Sequence, residues 1–210
     1  MSAEVADTQP RLTRKGQATR DRIVRAAAEL TFERGVAGTS IDDVKAAAGV
    51  SSSQLYHYFA DKHALIRAVV AHQTEVVVGP QEPLLRRLDS VAGLRAWAEM
   101  AVALQRRAHC RGGCPIGSLA SELADVDPDA RADLVAGFGR WETAIRDGLR
   151  AMHARGVLRA DADPDRLALA ILAALQGGLL LTQIRRETGP LEAALDTVLD
   201  QVESLSVVAS

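Results

Sequence analysis

The sequence predicts an all-α fold of about nine helices. Three features point there. Apolar residues recur at steps of three and four almost throughout, and hardly any segment alternates with period two. Glycine or Gly-Pro stands where periodic segments stop, at Gly35, Gly49, Gly79-Pro80 and Gly189-Pro190. Hydroxyl or carboxylate residues stand where segments begin, at Ser40, Ser51 and Asp61. The composition agrees: of 210 residues, 48% are hydrophobic and 25% charged, the balance of a globular chain and not of a disordered one.

The elements follow in order. Arg14 to Arg34 reads as a first helix with Ile23, Ala27 and Leu30 on one face, ended by Gly35. Thr39-Ser40-Ile41-Asp42-Asp43 starts a second, with a hydroxyl cap and carboxylates near the positive end of the helix dipole; Val44, Ala47 and Ala48 continue its apolar face. Gly49 breaks it, and Ser51 caps a third that reaches Tyr58. Asp61 caps a fourth, from Lys62 to Val78, stopped by Gly79-Pro80. Leu94, Trp97, Ala101, Leu104 and Ala108 then fall at helical spacing. Gly112-Gly113 reads as a loop, with Pro115 suited to a first helical position. Leu134, Phe138, Trp141, Ile145, Leu149 and Met152 form the clearest amphipathic stripe. Leu167 to Ile184 is apolar almost all round, so it requires burial on several sides. Leu191, Leu195, Val198, Val202 and Leu205 share one face of a last helix.

Formal net charge is −2, but the two halves differ. From Pro10 to Arg67 there are ten Lys or Arg against six Asp or Glu, and the remainder from Ala68 carries an acidic surplus. Different partners for the two halves are expected. The acidic first ten residues contain no apolar segment of the signal-peptide kind. The apolar run from Leu167 is interrupted by Gln176-Gly177-Gly178 and falls short of the roughly 20 residues of a membrane span. A cytoplasmic protein without membrane contact is therefore expected, with Cys110 and Cys114 as free thiols.

Three of the seven aromatic residues, Tyr56, Tyr58 and Phe59, crowd into the short run SSSQLYHYF. Two short helices around a Gly49-Val50 turn give the layout of a helix-turn-helix, whose second helix enters the DNA major groove. Ser51, Ser52, Ser53 and Gln54 would lie at its tip, where they could reach base edges. Tyr56, His57 and Tyr58 could donate to phosphates, and Leu55 and Phe59 would anchor the helix inward. Lys62 at the next helix start could meet one more phosphate. The same short capped helices also occur in all-α proteins that never touch DNA.

The stretch Gly38 to Phe59, "GTSIDDVKAAAGVSSSQLYHYF", followed by Asp61-Lys62-His63-Ala64-Leu65, resembles the DNA-binding domain of TetR-family transcriptional regulators. The match covers roughly residues 15 to 67, about a quarter of the chain. The resemblance implies a three-helix DNA-binding domain over 11–67, a ligand-binding and dimerisation domain over 68–210, and a homodimer on a palindromic operator. It implies phosphate contacts from the starts of the second and third helices, at Thr39, Ser51, Tyr56, Tyr58 and Lys62, and places Ser40 among the DNA-binding residues. Base reading falls to Ser52, Ser53, Gln54 and His57. Many members carry glycine where Ser53 stands, so the operator sequence does not transfer. Arg11, Arg14 and Lys15 form either a basic arm along the DNA backbone or a solvated tail. The segment RGGCPIGSLASEL, from Arg111 to Leu123, is similar to the subgroup typified by LmrA and YxaF, drug- or flavonoid-responsive repressors.

In the back half, Trp97, Met100, Leu104, Phe138, Trp141, Ile145 and Met152 could line an apolar cavity for a small hydrophobic ligand or simply fill a core. His109, Cys114, His153 and Gln176 could supply polar contacts. Cys114 at a helix cap is expected to have a lowered pKa if Arg111 or His109 is close, which would make it a thiol sensor; the alternative is a small thiol that packs. A metal site from His109, Cys110 and Cys114 lacks a fourth ligand. The last two helices carry more apolar surface than one subunit covers, which predicts a four-helix dimer contact; burial of both faces within one chain is the alternative. No cofactor is expected. No Ser/His/Asp set, P-loop, GxGxxG or HExxH motif suggests an enzyme, and a ligand-insensitive DNA-binding protein remains an open alternative.

Overall fold

Thr13 opens the first helix, α1 (Arg14–Arg34), by accepting a hydrogen bond from the Gly16 N–H at 3.1 Å; Gly35, at φ 75°, closes it by donating to the Thr31 carbonyl. These features belong to a computed structural model that describes residues 12–207. The chain divides into two compact units, Met1–Leu65 and Ile66–Ser210.

In the first unit, α1 is followed by α2 (Ile41–Ala48), α3 (Ser52–Tyr58) and the opening turn of α4 (Lys62–Val78). α2 and α3 each begin with a reciprocal capping box, Ser40 with Asp43 and Ser51 with Gln54. Each satisfies two N–H groups that a helix start otherwise leaves bare. Gly49 adopts the left-handed conformation (φ 61°) that ends α2 and makes the tight turn possible. Arg22 donates from Nε to the Ala48 carbonyl at 2.8 Å, which satisfies one of the last carbonyls of α2. Ile23, Val24, Ala27, Val44, Ala48, Leu55, Phe59 and Leu65 form the buried core of this unit. The Arg20 guanidinium sits 5.3 Å from the Phe59 ring centre. Leu55 and Phe59 thus anchor α3 as expected, whereas Ala47 is exposed.

The second unit takes the rest of α4, then α5 (Glu82–Leu85), α6 (Val91–Arg107), α7 (Pro115–Leu123), α8 (Pro128–Ala154), α9 (Pro164–Arg185) and α10 (Gly189–Ser204). α9 packs on α8 and α10, and α10 packs on α6. Close approaches run through glycine: a Cβ at Gly178 would lie 2.9 Å from the Leu191 Cα, and one at Gly148 would lie 2.4 Å from the Leu88 carbonyl oxygen. Arg95 pairs with Asp200 and Glu203, and Arg106 with Glu192, so ion pairs fix the register of α6 against α10. Among the described residues the only β-type pairing is an isolated bridge between Leu158 and Ser206.

Three expectations are corrected. Gly79-Pro80 does not simply stop the helix: a 3-10 turn at Gly79–Gln81 leads straight into α5, because Pro80 and Pro83 occupy first-turn positions that need no N–H. On α6 the buried stripe is Leu94, Trp97, Ala98, Val102 and Gln105, while Leu104 is 44% exposed and Ala108 also faces out. Stripes through Ala98 or through Ala101 fit helical spacing equally from Trp97 onward, and the neighbouring helices select between them. α9 begins earlier than its apolar run, where Asp163 accepts from the N–H groups of Asp165 and Arg166. At 22 residues it is long and apolar enough to cross a membrane by length and composition. It buries one side inside the unit and leaves Leu169, Leu180, Leu181 and Ile184 exposed on the other.

Candidate nucleic-acid interface and small-molecule cavity

The tip of α3 presents Ser51, Ser52, Ser53, Gln54, Tyr56 and His57, all exposed. Ser51 is already committed to the cap: its hydroxyl accepts from Gln54 N–H at 3.2 Å and lies 3.0 Å from the Ser53 hydroxyl. Gln54 returns the cap through Oε1, which accepts from Ser51 N–H at 3.0 Å. Its amide nitrogen is not used by the cap. Ser52 and His57 are exposed, and Tyr56 is 52% exposed. Tyr58 is half-buried, with the His57 ring edge-on at 4.9 Å. Ser40 is exposed but engaged with Asp43, whose carboxyl that hydroxyl holds below the usual range, helped by the Ser40 N–H and Arg34.

Two of the expected phosphate contacts have partners within the chain. Thr39 is only 2% exposed, and its hydroxyl donates to the Gly35 carbonyl at 2.8 Å. Lys62 is half-buried and donates from Nζ to the Val36 carbonyl at 2.9 Å. Both serve the loop after α1, whose carbonyls have no helical partner and need donors. Arg14 and Lys15 are not a tail: they form the first turn of α1, side chains exposed, and Arg11 lies outside the described residues. Cations at that position oppose the helix dipole, so helix stability does not account for them.

In the second unit a cavity of about 420 Å³ lies among α4, α6, α8, α9 and the loop before α7. Trp97, Met100, Leu104, Cys114 and Trp141 line it, as expected. Sequence reasoning missed Val76, Val77, Pro80, Gln81 and Gln105. Gln81 organises the wall: its Oε1 accepts from the indole N–H of Trp97 at 2.9 Å and of Trp141 at 3.0 Å, while Nε2 donates to the Val77 carbonyl at 2.7 Å. Two buried tryptophans oblige some acceptor to exist, and that requirement was the one sequence signal for such a residue.

The other expected ligand contacts stand elsewhere. Phe138 is half-buried beside Trp141, 6.1 Å between ring centres, and Ile145 and Met152 are fully buried core. The α8 stripe spans five turns, and the cavity reaches it only at Trp141. His109 is exposed, at a left-handed φ of 50°, and His153 lies against the Ala160 carbonyl. Gln176 borders a separate, smaller cavity with Cys114, Gly117 and Leu180.

Cys114 does cap α7, its sulfur accepting from Gly117 N–H at 3.4 Å. Burial nevertheless pushes its thiol above the ordinary range, outweighing the N–H groups of Gly117 and Ile116 and the Gln176 side chain. This corrects the expected lowering. Cys110 is buried, with its carbonyl accepting from Arg186. Among the described residues no three His, Cys, Asp or Glu side chains form a group that could hold a metal.

Residues 23–69 match the family described as bacterial regulatory proteins, tetR family, and residues 90–198 match the tetracyclin repressor-like C-terminal domain. The transcriptional regulator AcuR of Cereibacter sphaeroides is 31% identical over 81% of this chain and 79% of its own length. The HTH-type transcriptional regulator YxaF of Bacillus subtilis is 23% identical over 86% of this chain and 92% of its own. A TetR transcriptional regulator from Chloroflexus aurantiacus J-10-FL superposes with a TM-score of 0.80 at 32% identity, covering 94% of this chain and all of that one.

Proposed function

This chain belongs to the TetR family of DNA-binding transcriptional regulators, and on that premise we propose that it is a cytoplasmic, homodimeric repressor released from a palindromic operator by a small apolar molecule. The observation that carries the DNA half is the exposed tip of α3, where serine hydroxyls, the Gln54 amide and the Tyr56 phenol project from a helix locked by Leu55 and Phe59. Tyr56, Tyr58 and the cations Arg14 and Lys15 hold phosphates, and Ser52, Ser53, Gln54 and His57 meet base edges.

Support for the ligand half is the cavity walled by Trp97 and Trp141. Support for the dimer is the exposed apolar side of α9, with Leu169, Leu180, Leu181 and Ile184. Gly177 lies on that side with no neighbour within 4 Å of its Cβ position, so a partner helix could approach closely there. A dimer spaces two α3 helices for two half-sites, and ligand shifts the equilibrium toward a spacing the operator does not fit. No enzymatic role is proposed.

The test is fluorescence anisotropy on duplexes containing inverted repeats from the promoters of its own and adjacent genes, over a salt series. Salt-sensitive, repeat-dependent binding is expected. Tyr56→Phe should weaken all duplexes alike, and Gln54→Ala should change the ranking among them. Absence of any preference for an inverted repeat would overturn the operator assignment, and identical effects from the two variants would overturn the division of roles.

A further inference from the structure

The lining of the 420 Å³ cavity falls into two groups by the surface each side chain can offer an occupant. Trp97, Trp141, Leu175 and Leu179 are buried, the two tryptophans at no more than 2% exposure, so they hold the fold and give little surface to a ligand. Both indole N–H groups are also taken, by Gln81. Val76 on α4 and Leu104 on α6 are different: they border the same cavity and are 53% and 44% exposed. Pro80 is exposed there as well. Single apolar residues on a surface are ordinary, but these three are gathered around one opening. Packing does not call for leucine at 104, since α6 is held through Leu94, Trp97, Ala98 and Val102. What these side chains gain, they gain when something apolar covers them.

The chemistry of the lining fixes the class of that occupant. No Asp, Glu, Lys, Arg or His borders the cavity. The surface within reach is mostly aliphatic carbon from Val76, Pro80, Ala101 and Leu104, with the Met100 thioether. An anion would leave water with no cation to meet it, and apolar contact does not return that cost. A neutral apolar molecule gives up little hydration and covers the rim.

Resting on the reading that this cavity is the effector site, we propose that Val76 and Leu104 are its specificity-determining residues and select neutral apolar molecules against anions of the same shape. The tryptophans shape the chamber, and the exposed rim does the selecting.

The experiment uses the full chain and two fluorescent probes of one ring system: N-phenyl-1-naphthylamine, which is neutral, and 8-anilinonaphthalene-1-sulfonate, which adds one negative charge. Both are excited by energy transfer from Trp97 and Trp141, the only tryptophans, so the signal comes from probe near the cavity. The wild type should prefer the neutral probe by at least about tenfold. Leu104→Ala should weaken the neutral probe by about tenfold and Val76→Ala by about fivefold, each leaving the melting temperature of the ligand-free protein within about 2 °C. A residue that served only the fold would lower the melting temperature instead. Leu104→Met, apolar and close in volume, should bind within about twofold of the wild type. Leu104→Lys supplies the missing cation and should bring the preference below about threefold; Val76→Lys serves the same test should that variant fold poorly. Neutral-probe binding that ignores both alanine substitutions, or a wild type that prefers the sulfonate, overturns the role of the rim and leaves the cavity reading intact. Binding of neither probe overturns the cavity reading and this inference with it.

Discussion

Gln81→Leu removes the acceptor shared by Trp97 and Trp141 without opening space, since leucine is close to glutamine in volume. Both indoles are almost fully buried and neither has another acceptor among the described residues, so two N–H groups are left unsatisfied. Each costs about 1–3 kcal/mol. The added apolar burial of leucine returns about 1 kcal/mol, leaving a net loss of about 3 kcal/mol. For a chain that behaves as most domains do, this lowers the urea midpoint by about 1 M at unchanged slope. Trp97 and Trp141 are the only tryptophans, so indole emission reports this spot directly. Unfolding curves of wild type and variant should be recorded at one protomer concentration, because a dimer's stability depends on it. A midpoint within about 0.2 M of the wild type would show that the indole N–H groups find other acceptors, and the bracket described here would be incidental.

Gly139→Ala, in open space on α8, should stabilise by about 0.5–1 kcal/mol through helix propensity, whereas Gly148→Ala, whose new Cβ would lie 2.4 Å from the Leu88 carbonyl oxygen, should destabilise by about 2–3 kcal/mol; thermal melts that order the pair the other way contradict the packing of α8. Ile184→Glu places a charge on the exposed apolar side of α9 and should convert dimers to monomers in light scattering at micromolar concentration, with loss of operator binding; a wild type that is itself monomeric removes the dimer. Cys114, its thiol raised by burial, should react with iodoacetamide more slowly than free cysteine at pH 7, as read by peptide mass mapping; labelling as fast as a free thiol would restore a sensor role. Because its folded pKa lies above the unfolded one, its contribution to stability is complete below the unfolded thiol pKa and is lost as pH rises through the folded value.

Local signals were legible because their free energies are local. The capping boxes Ser40–Asp43 and Ser51–Gln54, the left-handed turn at Gly49, and the start of α7 at Pro115 each depend on residues within four positions. The anchors Leu55 and Phe59 follow from the same short spacing. The intramolecular partners of Thr39 and Lys62 were not legible, because burial and long-range contacts are not local properties. Both face carbonyls of the loop after α1, and in the case of Lys62 that partner lies 26 residues away in the chain.

By itself, then, the order of residues determined the helices, their ends and the helix-turn-helix, since caps, glycines and apolar periods act within one or two turns. Only the tertiary structure decided which side of α6 is buried, where the cavity opens and which glutamines border it. Those outcomes depend on how side chains from α4, α6, α8 and α9 share one volume. Sequence spacing carries no information about volumes shared between distant segments, and so the place of Gln105 in the cavity wall could be found only once those helices were packed together.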